Sequence, residues 1–108
     1  MDIVFKDLPK VSLNAWYSGG HWSVRSNMKK EYKVLVKNQF KHTFPKTNKY
    51  HCEYLFGFKN NPLDASNCVA MVKMIEDVIF EDDKFDIVKS IKINSVKASE
   101  NFVILSVL

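Results

Sequence analysis

Residues 50–80, YHCEYLFGFKNNPLDASNCVAMVKMIEDVIF, decide the fold of this chain. "YHCEYLFGF" has the aromatic, mixed alternation of a strand, and "KNNPL" breaks it. With Asp64 or Ser66 as N-cap, the residues up to about Phe80 read as a helix. In it Cys68, Met71, Val72, Ile75, Val78 and Ile79 recur at intervals of three and four. That stripe is core. Toward the amino terminus, "DIVFK" reads as a short strand, and "DLPKVSLNAWYSGGHWSVRS" as a long aromatic-rich connection punctuated by Pro9 and Gly19-Gly20. From Ser26 as N-cap, "NMKKEYKVLVKNQF" reads as a further helix, with Met28, Tyr32, Leu35 and Val36 on one side. Lys30, Lys33, Lys37 and Lys41 form a stripe on the other side, with Val34 among them. "KHTFPKTNK" is a turn-rich connection. Two strands follow the central helix, near "FDIVKSIKINSV" and "NFVILSVL", separated by the polar "KASE" turn. The order strand, helix, strand, helix, strand, strand predicts a small α/β domain of the α+β type. Two main helices pack on a mixed sheet, in one domain over residues 1–108.

The chain has 108 residues, 46% of them hydrophobic and 26% charged, which suits one globular domain with one core. It contains no run of about 18 apolar residues, and "MDIVFKDLPK" lacks the regions of a signal peptide. The expected location is the cytoplasm, with no membrane association. Cys52 and Cys68 do not make a disulfide framework or a paired zinc knuckle and read as reduced interior thiols. His21, His42 and His51 have no metal-ligand spacing.

Charge is distributed unevenly. Formal net charge is +4. Between Arg25 and Lys49 the bases are Arg25, Lys29, Lys30, Lys33, Lys37, Lys41, Lys46 and Lys49, against the single acid Glu31, whereas acids outnumber bases from Tyr50 onward. Within residues 60–83 stand Asp64, Glu76, Asp77, Glu81, Asp82 and Asp83. Carboxylates crowded together repel unless they are spread over solvent or share a cation. A basic half beside an acidic one suits a protein that holds a polyanion by its phosphates while a metal acts on one of them; a solvated lysine face is the simpler alternative. Spacing alone does not bring Asp64 and the Asp82-Asp83 pair together. The helix between them covers roughly 20 Å, so they converge only if one connection folds back.

"LPKVSLNAWYSGGHWSVRSNMKKEYKVLVKNQ" followed by "DASNCVAMVKMIEDVIFEDD" resembles the RusA family of Holliday junction resolvases, small metal-dependent endonucleases often carried by phages and prophages. The likeness covers most of the chain. It rests on Ser12-x-Asn14 followed by aromatics, a helix rich in Lys and Tyr, an Asp-x-x-Asn turn at Asp64 and Asn67, Lys-x-x-x-Asp at Lys73 and Asp77, and the terminal pair Asp82-Asp83. The resemblance implies that Asp64 and Asp83, with Asp82, bind a divalent metal, Mg2+ or alternatively Mn2+, and that Lys73 assists at the phosphate. Ser66, Asn67 and Asp77 would support that site. Two departures stand out. The best-known family motif carries a second acid where this chain has Ser66, and its lysine would fall at Ala70, whereas the lysine here is Lys73. On one continuous helix Lys73 points about 180° away from Asp64, so either the first turn is irregular or Lys73 pairs with Asp77.

The expected function is that of a magnesium-dependent endodeoxyribonuclease resolving branched DNA, chiefly four-way junctions, by symmetric hydrolysis. Two symmetric cuts call for a two-fold homodimer. Magnesium prefers oxygen ligands and activates a bound water. Arg25, Lys29, Lys30, Lys33, Lys37 and Lys41 would hold phosphates, and Asn14 would belong to the DNA-binding surface. Trp16, Tyr17 and Trp22 would stack on exposed bases, pack on the partner subunit or anchor the long connection by burial. No small-molecule cofactor is expected. The alternative is a branched-DNA-binding protein of the same fold whose chemistry is weakened or lost, as Ser66 would permit.

Overall fold

The structure, a computed structural model, describes residues 1–18, 22–45, 49–80 and 87–108, with the side chains of Ser18 and Trp22 outside that description. The strands are β1 (Asp2–Lys6), β2 (Tyr50–Phe58), β3 (Val88–Lys97) and β4 (Phe102–Val107). The helices are α1 (Leu13–Ser18), α2 (Trp22–Gln39) and α3 (Val69–Ile79), the last entered through a 3-10 turn at Ala65–Cys68. The four strands form one mixed sheet in the order β1-β4-β2-β3. β4 pairs antiparallel with β1 and β2, while β2 and β3 run parallel, joined by the crossover that carries α3. The α+β reading therefore holds.

Period-2 alternation sets which side chains meet the helices. Ile3, Leu105 and Tyr54 lie in one cross-strand row, and Phe5, Val103 and Phe56 in another; all six are buried. Nearly the whole of α3 is buried against them: Ala70, Met71, Val72, Met74, Ile75, Glu76 and Ile79. Lys73 and Asp77, one turn apart, are its exposed residues. On the opposite face of the sheet Val4, Ile104 and Leu55 stand side by side, half-buried or exposed.

The long connection after β1 differs from expectation, because it contains a helix and the start of another. Ser12 Oγ accepts the Ala15 N–H at 3.0 Å and Ser12 O accepts the Trp16 N–H at 2.9 Å, which caps α1 in the few residues between Pro9 and Gly19. α2 begins at Trp22, so Ser26 is an interior residue and Arg25 is helical; Lys41 lies beyond the helix end at Gln39. Two contacts dock α2. The buried Tyr32 hydroxyl donates to Pro9 O, and the Gln39 amide brackets Lys6, accepting its N–H at 2.6 Å and donating to its carbonyl at 2.9 Å. Burial pushes the Tyr32 hydroxyl far above the ordinary range, so it stays a donor.

Candidate nucleic-acid interface

α3 enters through a 3-10 turn, and this decides where the two functional candidates at its start and middle point. Asp64 O accepts N–H groups from both Asn67, at 2.9 Å, and Cys68, at 3.2 Å. The Asp64 side chain makes no capping hydrogen bond and stands exposed, with Ser66 exposed and Asn67 half-buried beside it. The Leu63 carbonyl accepts from Ser95 Oγ, which ties this corner to the carboxyl end of β3. Burial pushes the Cys68 thiol up to about 11, with a hydrogen bond from Ser95 lowering it and the Asp64 charge raising it.

A 3-10 turn advances about 120° and 2.0 Å per residue, against about 100° and 1.5 Å for an α-helix. Over the nine steps from Asp64 to Lys73 the direction changes by roughly 260°, with a rise of roughly 15 Å. The first turn is thus irregular, and even so Lys73 does not come round over Asp64.

Lys73 instead faces α1 and α2. Together with Met74 and Asp77 it forms one wall of a cleft of about 240 Å³ whose other walls are Trp16 of α1 and Arg25 and Lys29 of α2. Helical spacing puts Arg25 and Lys29 on the line that continues to buried Tyr32 and Val36, so both cations are turned toward α3. The Trp16 ring is half-buried against the core, and Arg25 Cζ lies 6.0 Å and Lys29 Nζ 5.8 Å from its centroid. Such cation–π contacts hold flexible cations in place. Arg25 Nε is buried and has no hydrogen-bond partner. From the cleft the basic sector of α2 runs outward through Lys30 and Lys33, both exposed, to Lys37, whose ammonium donates to Thr43 Oγ1 at 3.1 Å. Val34, 60% exposed, interrupts it. Asn14 and Tyr17 are exposed on α1 beside the cleft-lining Trp16.

The remaining candidates fall elsewhere. Asp82 and Asp83 lie outside the described residues, as do Glu81, His21 and Lys46. The described flanks of the 81–86 segment are at the amino end of the parallel strands: Phe80 packs on Tyr50, and Tyr50 N–H donates to Ile87 O at 2.7 Å. Asp64 is at the carboxyl end. Among the described residues no group of three or more His, Cys, Asp or Glu side chains surrounds a common point. Cys52 and Cys68 are buried free thiols, as read from the sequence. Glu76, counted with the acidic cluster in the sequence, is among the described residues the buried charged one, and it accepts a 2.7 Å hydrogen bond from Tyr54 Oη. Its place in the apolar stripe, between Ile75 and Ile79, was the available signal of that burial. No helix among the described residues is long and apolar enough to cross a membrane. No family model, curated protein or solved structure matches this chain.

Proposed function

We propose that this protein binds the phosphate backbone of nucleic acid along α2 and, following its resemblance to the RusA family, that it is a magnesium-dependent endodeoxyribonuclease. It would act on branched DNA, chiefly four-way junctions, as a two-fold homodimer in the cytoplasm of a bacterial or phage-infected cell. One observation carries the reading: Arg25, Lys29 and Lys73 come from two helices to one cleft, and the basic sector continues along α2 through Lys30, Lys33 and Lys37. A run of cations continuous with a recess suits a polyanion that crosses the helix and is gripped at one point.

In the hydrolytic reading, magnesium or manganese would be held by Asp64 with Asp82 and Asp83, and Ser66, Asn67 or Asp77 would support it. When bound, such a metal supplies an activated water and neutralises charge developing on the phosphate. Asp64 offers an exposed carboxylate for this role. The basic residues of α2 hold the strands, and Lys73 grips a phosphate about 15 Å along α3 from Asp64.

The position of Asp64, at the opposite end of the parallel strands from the flanks of Asp82 and Asp83, favours a second reading: a branched-DNA-binding protein without hydrolytic activity. A labelled synthetic four-way junction separates the two. Paired symmetric nicks that require magnesium and vanish in Asp64→Asn and in Asp83→Asn are the expected result. Tight, salt-sensitive binding with no nick, equal in the parent and both variants, leaves the binder alone standing.

A further inference from the structure

We infer that the cleft between α1, α2 and α3 is a phosphate-binding pocket in which Lys73 is a binding residue, acting with Arg25 and Lys29 on a single phosphate ester. The inference deepens the nucleic-acid reading, on which it relies only for the source of that phosphate.

Three features of the cleft point to an oxyanion. Its described charged lining is Arg25, Lys29 and Lys73 against Asp77, an excess of two positive charges in a recess of about 240 Å³. The stems of these cations are anchored beforehand: Arg25 and Lys29 lie beside the Trp16 ring, and Lys73 projects from a helix otherwise buried almost all round, so binding reorients only the guanidinium. Ligand groups that are fixed beforehand lose less entropy on binding. Thirdly, Arg25 Nε is a buried donor with no acceptor, a state that is costly in a folded protein and that a bound acceptor relieves. A phosphate seated bidentate on the Nε–Nη edge of the guanidinium satisfies it and uses the fork that distinguishes arginine from lysine. Because Nε is buried, seating the oxyanion there requires the guanidinium to turn toward the cleft. The recess of about 240 Å³ leaves room beside a phosphate for the ester's carbon substituent.

Arg25 is the only arginine of the chain, so one Nε–H resonance reports on the pocket. The full-length protein is titrated with inorganic phosphate, with a 5′-mononucleotide, and with a short single strand lacking terminal phosphates. The expected result is a downfield shift and slowed water exchange of the Arg25 Nε–H. Lys73→Gln weakens the effect about tenfold at 0.1 M salt, and Lys97→Gln, on β3, does not change it. A shift with phosphate and mononucleotide but not with the strand assigns the pocket to monoesters; a shift with the strand assigns it to diesters. An Nε–H that none of the three moves, in a protein that still binds DNA with steep salt dependence, overturns the pocket and spares the nucleic-acid reading. Phosphate binding without any DNA affinity keeps the pocket and overturns that reading. If neither binds, both fall.

Discussion

The cleft and the Asp64 corner sit about 15 Å apart along α3 and are built on opposite principles. In the cleft, three cations come from two helices, two of them, Arg25 and Lys29, lie over an aromatic ring, and Arg25 has a buried donor without an acceptor. At the corner, a single carboxylate stands exposed with no capping hydrogen bond, its backbone carbonyl already engaged by Asn67 and Cys68. Like charges are held together in the first because tertiary packing fixes their stems. Asp64 is left in water, where solvation costs nothing and a diffusible cation is free to approach. The cation-rich recess and the exposed carboxylate are thus separate features, one on α3 and one at the turn that leads into it.

The sharpest way to break this comparison is to neutralise the cleft. Arg25→Gln, Lys29→Gln and Lys73→Gln together should weaken DNA binding roughly 10²- to 10³-fold at 0.1 M salt and reduce the salt slope by about 2–3. Asp64→Asn should leave metal-free binding unchanged. Equal losses in both variants, read by fluorescence anisotropy over a salt series, would show that the two sites are one.

A smaller effect tests the frame that carries both sites. Tyr54→Phe removes a hydrogen bond to buried Glu76, one residue from Asp77 and three from Lys73. It should cost about 1–3 kcal/mol, lowering Tm by roughly 5–20 °C for a domain of this size. An unchanged Tm in thermal unfolding would mean that Glu76 gains nothing from Tyr54.

The smallest effect concerns the thiols. Burial, helped by the Glu76 charge, pushes Cys52 from an ordinary 9.0 up to about 12, and burial chiefly raises Cys68 to about 11. Both values are raised, so the folded state retains protons that the unfolded chain loses first. The thiol contribution to stability is therefore complete below about pH 9 and falls as pH rises toward 11 and 12. Neither thiol should react with a disulfide reagent at pH 8 until the protein unfolds. Rapid labelling of Cys68 in the folded protein would show that the Asp64 corner opens.

Much of the fold was legible because local periodicity and burial agree. "DIVFK" and "YHCEYLFGF" coincide with β1 and β2, and the recurrence of Met71, Val72, Ile75 and Ile79 marks the buried side of α3. α1 was not legible. Pro9 and the Gly19-Gly20 pair bracket too few residues for a helical period to show, although Ser12 was a usable cap signal. The 3-10 turn was likewise hidden, since Asp64 resembles an ordinary N-cap in sequence and becomes something else only when its carbonyl takes two N–H groups.

The sequence by itself determined the α+β class, the two reduced thiols, the basic character of α2 and the candidacy of Asp64, because each of these depends on composition or on neighbours within one element. Only the tertiary structure decided that Lys73 stands with Arg25, Lys29 and Trp16 and apart from Asp64. The physical reason is that periodicity specifies which side of a helix a residue occupies. What lies opposite that side is settled by packing between segments distant in the chain, here Tyr32 on Pro9, Gln39 on Lys6 and α3 on the sheet.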